Sequence, residues 1–379
     1  MSDDYVLLTG VTGNIGRYLL RDLLLQGQSL AVLVRPRDDV CGRQRVEEIV
    51  SYWERELGQS LPSPVCLEGD TSHEFYGLNQ KDRAWVRANC GTLLHNAASV
   101  AFGDTQGRTW DNNVSGAQRT LELCCNARIQ HLAYVSTAYV CGSQTGIINE
   151  GSSWDHQKFR NEYEHSKFEA ERILRDSKIP DQLTILRPGI VLGDHETGRT
   201  TTFHHFYRIA QFHSLFAQHA SRKVRGIQQF DIRLNLTGEE IRNLVTVDWV
   251  SAAISVILLE SRWHGRSYHL TPQRPTTSRE VSEAINQFFQ CQGMRFVGPM
   301  DLDDNQGSRD ERFFYEYFAE YDEYWLGDPS FDRRNTDEAT KCVPHPRVDV
   351  DCLIRLIDYA VRNRFGRRRK RVGLEVEQR

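Results

Sequence analysis

An apolar run from Val6 to Leu8 ends in Thr9 and meets three evenly spaced glycines, Gly10, Gly13 and Gly16. The amphipathic segment that begins Arg17-Tyr18-Leu19-Leu20 follows directly. No other stretch limits the fold so narrowly. The order reads as strand, glycine turn and helix. Glycine lets the backbone turn sharply and lie against a ligand, and the unpaired N–H groups at the helix start attract a pyrophosphate. Gly10, Thr12, Gly13, Asn14, Ile15 and Gly16 are therefore the first candidate nucleotide-binding residues. Three spaced glycines also serve ordinary strand–helix turns, so the residues downstream decide.

Leu30 to Val34 forms a second short apolar run. Strand, helix and strand in close succession predict an α/β fold with a doubly wound parallel sheet. Arg35 stands nineteen residues beyond Gly16, where an enzyme that uses NAD places an acid on the ribose 2′-hydroxyl. A basic residue there favours the 2′-phosphate of NADP, with Arg17 and Arg37 as assistants; the alternative is a solvated loop arginine. Residues 43–58 repeat apolar side chains at helical spacing, and Val65 to Leu67 forms a third strand. Asp70 follows at that strand's carboxyl end, either to accept a hydrogen bond from an adenine amino group or to cap the next turn.

Thr92 to Ala98 reads as a fourth strand and its exit, where small Ala97 and Ala98 leave room for a cofactor against the backbone. A helix is predicted from about Thr109 to Asn126, carrying Asn113. His131 to Thr137 is the fifth strand, tipped by Ser136 and Thr137. Tyr163 and Lys167 then share one face of a predicted helix that runs to about Ser177, ahead of a strand at Leu183 to Leu186. A phenol of pKa about 10 is a poor acid–base at neutral pH, and an ammonium one turn away lowers it. Tyr163 is thus the candidate proton donor, Lys167 its electrostatic partner, and Thr137 the candidate for holding a developing oxyanion. Alternation along a strand turns Ser136 to the opposite face.

Taken in this order, the three glycines, Asn113, Ser136-Thr137, Tyr163-x-x-x-Lys167 and Arg187-Pro188-Gly189 resemble the extended short-chain dehydrogenase/reductases over residues 5–195. The likeness resumes at Asn243 to Val250 and Tyr268 to Thr271. The runs His95 to Phe102 and Val135 to Val140 resemble the male-sterility-like branch, which holds thioester reductases and fatty acyl-CoA reductases. The resemblance implies a Rossmann core over 1–197, completed by about 241–271. It implies a smaller, mostly helical substrate region at 198–240 and 272–366, and a basic tail at 367–379. It gives Lys167 a hold on the nicotinamide ribose, puts Pro188 and Ile190 beside the cofactor, and leaves Asn113 either supporting the lysine through water or capping a turn. The implied reaction is NADPH-dependent reduction of an acyl thioester, on coenzyme A or an acyl carrier protein, either to an aldehyde or, where a second hydride follows, to an alcohol. With no adenylation or carrier segment visible, the thioester is expected in trans. A carbonyl or alcohol oxidoreductase, a nucleotide-sugar epimerase and a non-catalytic NADP sensor are the alternatives; retention of the Tyr/Lys pair argues against the sensor.

The totals narrow the classes further. A net charge of −4 gives no general nucleic-acid-binding surface. No apolar run reaches the roughly 18 residues of a membrane span. Nine cysteines without a CxxC pattern, and acidic Asp3 and Asp4 just before the first strand, lead to the expectation of a cytoplasmic protein with reduced thiols and no signal peptide. His204, His205 and His213 lack a metal-ligand pattern and read as surface or packing residues. Phe314, Tyr317, Phe318, Tyr321, Tyr324 and Trp325 recur at helical spacing, either as core or as a wall over an apolar substrate. Seven basic residues between Arg362 and Arg371 form a solvated end or attract an anionic partner.

Overall fold

The computed structural model describes residues 5–99, 107–151, 157–219, 223–224, 227–298, 307–319 and 327–367. Val100, Phe102, Tyr321, Tyr324, Trp325 and the tail from 368 lie outside the described residues. At the centre are seven strands, β1 (Tyr5–Thr9), β2 (Ser29–Val34), β3 (Val65–Glu68), β4 (Cys90–His95), β5 (His131–Val135), β6 (Gln182–Pro188) and β7 (Ser267–Leu270). They lie in the order β7-β6-β5-β4-β1-β2-β3, every neighbouring pair parallel. Leu7 and Leu8 point to opposite faces and are both 0% exposed, so helices must cover both sides. The order reverses between β1 and β4, and a crevice opens there at the strands' carboxyl ends.

The covering helices are α1 (Asn14–Leu25), α2 (Gly42–Leu57), α3 (Gln80–Asn89), α4 (Gly116–Ala127) and α5 (Glu162–Ser177), then α6 (Phe206–His219), α7 (Val247–Leu259), α8 (Ser278–Phe289), α9 (Arg309–Phe318) and α10 (Val350–Arg362). One face of the sheet packs on Leu19 and Leu23 of α1, Val46 and Ile49 of α2, and Val250, Ile254 and Ile257 of α7. The other packs on Val86 of α3, Leu123 of α4 and Leu174 of α5. Each such side chain contributes about 1.5–3 kcal/mol on burial. The helix expected from Thr109 is divided: a short turn at Arg108–Trp110 leads into a wide turn at Asp111–Ser115, and α4 begins only at Gly116. The wide turn carries Asn113.

A second core gathers α6, α8, α9 and α10 around a small sheet. Its strand Ile227–Leu234 pairs parallel with Cys291–Phe296 and antiparallel with Lys223–Val224. This sheet adds to the helical region read from the sequence. Phe230, Ile232 and Leu234 are buried in alternation, a period-two signal too short to stand out among polar neighbours.

A buried ion pair joins the core's parts. Arg187 on β6 donates through Nε to Glu171 Oε1 at 3.0 Å and through Nη2 to Oε2 at 2.6 Å. Its Nη1 reaches the Glu150 carbonyl at 3.2 Å, and the Glu150 carboxylate accepts from His269 N at 2.9 Å and Thr336 Oγ1 at 2.8 Å. Burial pushes the Glu171 carboxyl up, but the Arg187 guanidinium outweighs it and holds the carboxyl below the usual range. Glu171→Ala leaves the buried Arg187 cation without its carboxylate, at an expected cost of about 3–5 kcal/mol, read as a lower urea midpoint. A depressed native pKa gives its stability above the unfolded value of about 4.3. The gap between wild type and variant should therefore be full near pH 6 and close as the pH falls through the folded value. Equal midpoints at pH 6 would refute the pair's role.

Candidate active site

At the crevice β1 gives way to Gly10, whose φ is +71°. A Cβ there would stand 2.8 Å from Ala97 N, so only glycine lets the exits of β1 and β4 lie together. Asn96 N and Ala97 N both donate to Thr9 Oγ1 at 3.1 Å, and Asn96 Nδ2 donates to the Gly10 carbonyl at 3.2 Å. Gly16 serves packing: a Cβ would lie 2.1 Å from Gly10 O, and the residue lines none of the three cavities described below. Helix α1 starts without a side-chain cap and without an acid in its first turn, which leaves its N–H groups for an anion.

That helix end opens on a cavity of about 390 Å³ lined by Gly10, Thr12, Gly13, Arg35, Asp70, Ala97 and Ala98. Arg35 Nη1 lies 3.4 Å from Asp70 Oδ2, an exposed pair of little intrinsic strength. Asp70 Oδ1 accepts from Ser72 N at 2.9 Å, so Asp70 caps its turn and also faces the cavity. Arg45 Nη1 donates to the Arg35 carbonyl at 2.6 Å, and Arg17 Nε to the Thr12 carbonyl at 3.2 Å. Burial and then the charges of Arg199 and Arg45 lower the Arg17 pKa, the mark of crowded cations. Arg37 instead pairs with exposed Asp38.

Gly13, Asn96 and Ala98 continue into a second cavity of about 270 Å³, which brings together Asn14, Ile15, Thr137, Tyr163, Lys167, Pro188 and Ile190. Tyr163 sits in the first turn of α5, whose cap Asn161 accepts from Glu164 N at 2.9 Å. Thr137, just past β5, is hydrogen-bonded to the Tyr163 phenol and accepts from Tyr139 N at 3.3 Å. The sequence reading expected a lowered phenol; burial, seconded by the Glu164 carboxylate, pushes it up. Lys167 is 1% exposed, and burial pulls its ammonium down to about 7 against the opposing charge of Glu171. Its Nζ donates to Tyr134 OH at 2.7 Å and to the Val135 carbonyl at 2.8 Å. His95 stacks on Tyr134 at 5.6 Å, and its Nδ1 lies 2.9 Å from Tyr76 OH.

Asn113 bridges two elements instead of capping its own turn. Its Oδ1 accepts from Ser99 N at 3.1 Å, and its Nδ2 donates to Ser99 O at 3.2 Å and Ser166 Oγ at 2.9 Å. It fastens the exit of β4 to α5. Tyr134, Tyr139, Asn96 and His205 also belong to this region, although their sequence positions pointed to no role in the site. Tyr139 OH donates to Asp328 Oδ2 at 2.7 Å, tying the site to the second unit. A third cavity, of about 120 Å³, shares Ile190 and His205 with the second. Among the described residues no three His, Cys, Asp or Glu gather as metal ligands, no disulfide joins two cysteines, and no helix is long and apolar enough to cross a membrane.

Residues 8–254 match the sequence model of a family described as male sterility protein. The non-canonical nonribosomal peptide synthetase hkm10 of Aspergillus hancockii is 25% identical over 305 residues, 76% of this chain and 28% of that protein. A putative fatty acyl-CoA reductase of Drosophila melanogaster, CG8306, is 32% identical over 146 residues, 36% of this chain and 28% of that protein. The aligned part thus spans little more than a quarter of either relative. Among solved structures, the terminal R domain from the myxalamid PKS-NRPS biosynthetic pathway superposes with a TM-score of 0.75 at 24% identity, over 95% of this chain and 91% of that one. That likeness is one of fold.

The buried lysine gives a stability signature independent of any ligand. A lysine whose folded pKa lies near 7 binds fewer protons folded than unfolded between about pH 7 and 10.4, so its burial penalty fades as pH rises through that window. Lys167→Met should therefore be more stable than wild type at pH 7, and the difference should shrink towards pH 10. A variant less stable at pH 7 would contradict the assigned burial cost.

Proposed function

The chain belongs to the male sterility protein family, and from that premise we propose that it is an NADPH-dependent reductase that converts an acyl thioester to an aldehyde. The observation that carries the reading is the convergence of Thr137, Tyr163 and Lys167 on one cavity continuous with the glycine cradle. The residues suit the cofactor. The uncapped start of α1 would hold the pyrophosphate, Asp70 the adenine, and Pro188 and Ile190 the nicotinamide end, with small Ala97 and Ala98 giving clearance. Arg35, with Arg17 and Arg45 near it, would hold the 2′-phosphate, since a charge-assisted bond to phosphate is stronger than its weak pair with Asp70. When bound, NADPH supplies the hydride.

The chain's own groups handle position and proton. Lys167 holds the ribose hydroxyls. The Thr137 hydroxyl donates to the substrate carbonyl oxygen, where negative charge develops. Tyr163, protonated at neutral pH, gives its proton to that oxygen. The resulting hemithioacetal expels the thiol and leaves an aldehyde. A synthetase and an acyl-CoA reductase among the relatives favour a thiol of the pantetheine type, as coenzyme A and carrier proteins both present. A cytoplasmic setting suits NADPH chemistry and thiols without disulfides.

Two experiments test this. Purified protein given NADPH and a panel of acyl-CoA and carrier-bound thioesters should consume NADPH and release free thiol, and Tyr163→Phe should slow turnover by about 10²–10⁴. Reduction of simple ketones without thiol release would sink the reading. For the cofactor, Arg35→Asp should weaken NADPH binding about tenfold or more and spare NADH, as measured by fluorescence titration. Equal losses for both would remove the phosphate assignment.

A further inference from the structure

We infer that the third cavity receives the acyl substituent and admits only a compact apolar group, of about the bulk of a benzene ring or a short branched chain. The inference rests on the thioester reading and adds the substrate class. The cavity measures about 120 Å³ and meets the catalytic cavity at Ile190 and His205. A protein cavity of about 150 Å³ holds one benzene, which sets the scale.

Its lining offers hydrocarbon. Val281 and Ile285 come from α8, Phe314 and Phe318 from α9, and Met294 and Phe296 from the small sheet. Most polar side chains among them already have partners, while Arg208 keeps one buried Nε without one among the described residues. His213 Nδ1 is 2.9 Å from the Ile209 carbonyl and its Nε2 3.3 Å from the Met294 sulfur. Ser278 Oγ donates to the Glu240 carbonyl at 3.3 Å, and Asp328 accepts from Tyr139 and from Asn243 N at 2.8 Å while its charge offsets that of Arg242.

The far wall resists expansion. Phe314 and Phe318 are 2% and 1% exposed, so a long chain must displace core side chains that are already closely packed. Their rings lie 4.8 Å apart, and Phe212 stands 5.4 Å from each. At the entrance, His205 takes a left-handed backbone angle, φ +46°, just before α6. Burial lowers its pKa to about 4, so a neutral imidazole faces the passing substituent.

The test compares kcat/KM for butanoyl-, benzoyl-, octanoyl- and palmitoyl-CoA with the full chain and NADPH. The compact pair should exceed palmitoyl by about tenfold or more. Val281→Phe, which fills the cavity, should lower the benzoyl value about tenfold and leave NADPH binding unchanged. Phe318→Leu, which opens the wall, should raise octanoyl relative to benzoyl, and serves if the first variant does not fold. Palmitoyl handled as well as benzoyl, or folded variants that leave the preference untouched, would overturn the inference while thioester reduction stands. Thiol release from no thioester at all would overturn the reading beneath it.

Discussion

Burying the Lys167 ammonium is the constraint around which the rest of the site is arranged. A cation taken out of water is costly unless other groups replace its hydration. Here Tyr134 OH and the Val135 carbonyl do so, and the Tyr134 ring lies 4.1 Å from the charge. Tyr134 is steadied by stacked His95, His95 by Tyr76, and Tyr76 by Thr120 Oγ1 at 2.6 Å. The His95 ring also lies 3.3 Å from Thr9 Oγ1, the atom that receives the exit of β4. The lysine and the glycine turn therefore share one support, a run of neutral hydrogen bonds from α4 through the sheet.

Two buried cations one strand apart are treated differently. Arg187 meets Glu171 through two hydrogen bonds and is fixed as an ion. Lys167 feels the same carboxylate from one helical turn away, while its Nζ donates to neutral oxygens. The first arrangement suits a brace, because a closely paired buried charge is costly to disturb. The second leaves an ammonium near neutrality, ready to respond to whatever enters the cavity. Lys167 and Glu171, the carboxylate of the brace, sit one turn apart on α5, so the helix carries brace and reactive group together.

Much of this was legible in the sequence because it is local. Strand and helix periods gave the sheet, and the glycines gave the cradle, since one short segment holds all the geometry each needs. Tyr163 and Lys167 were readable because four residues of helix bring them to one face. Tyr134 was not, for its meeting with Lys167 spans a strand, a loop and a helix. Arg45 rather than Arg37 joins Arg35 because the start of α2 folds back over the end of β2, which spacing alone does not reveal. The raised Tyr163 phenol depends on burial by distant elements, and the wide turn around Asn113 breaks a helix that periodicity draws as continuous. His205 read as a surface or packing residue, and only the tertiary fold brings it to the lining of both the second and the third cavity.

One feature of the sheet bears on synthesis. Strand β7 pairs with β6 but follows it by nearly eighty residues. At roughly 5–20 residues per second, a ribosome leaves that edge of β6 bare for about 4–16 s after its last residue has emerged. Leu183, Ile185 and Leu186 make it a largely apolar edge, the kind that recruits strands from neighbouring nascent chains. Arg187 and Pro188 close that segment with a charge and a residue that cannot donate to a ladder. In the finished protein the same arginine disappears into its pair with Glu171, so a guard needed during translation becomes part of the core once β7 arrives.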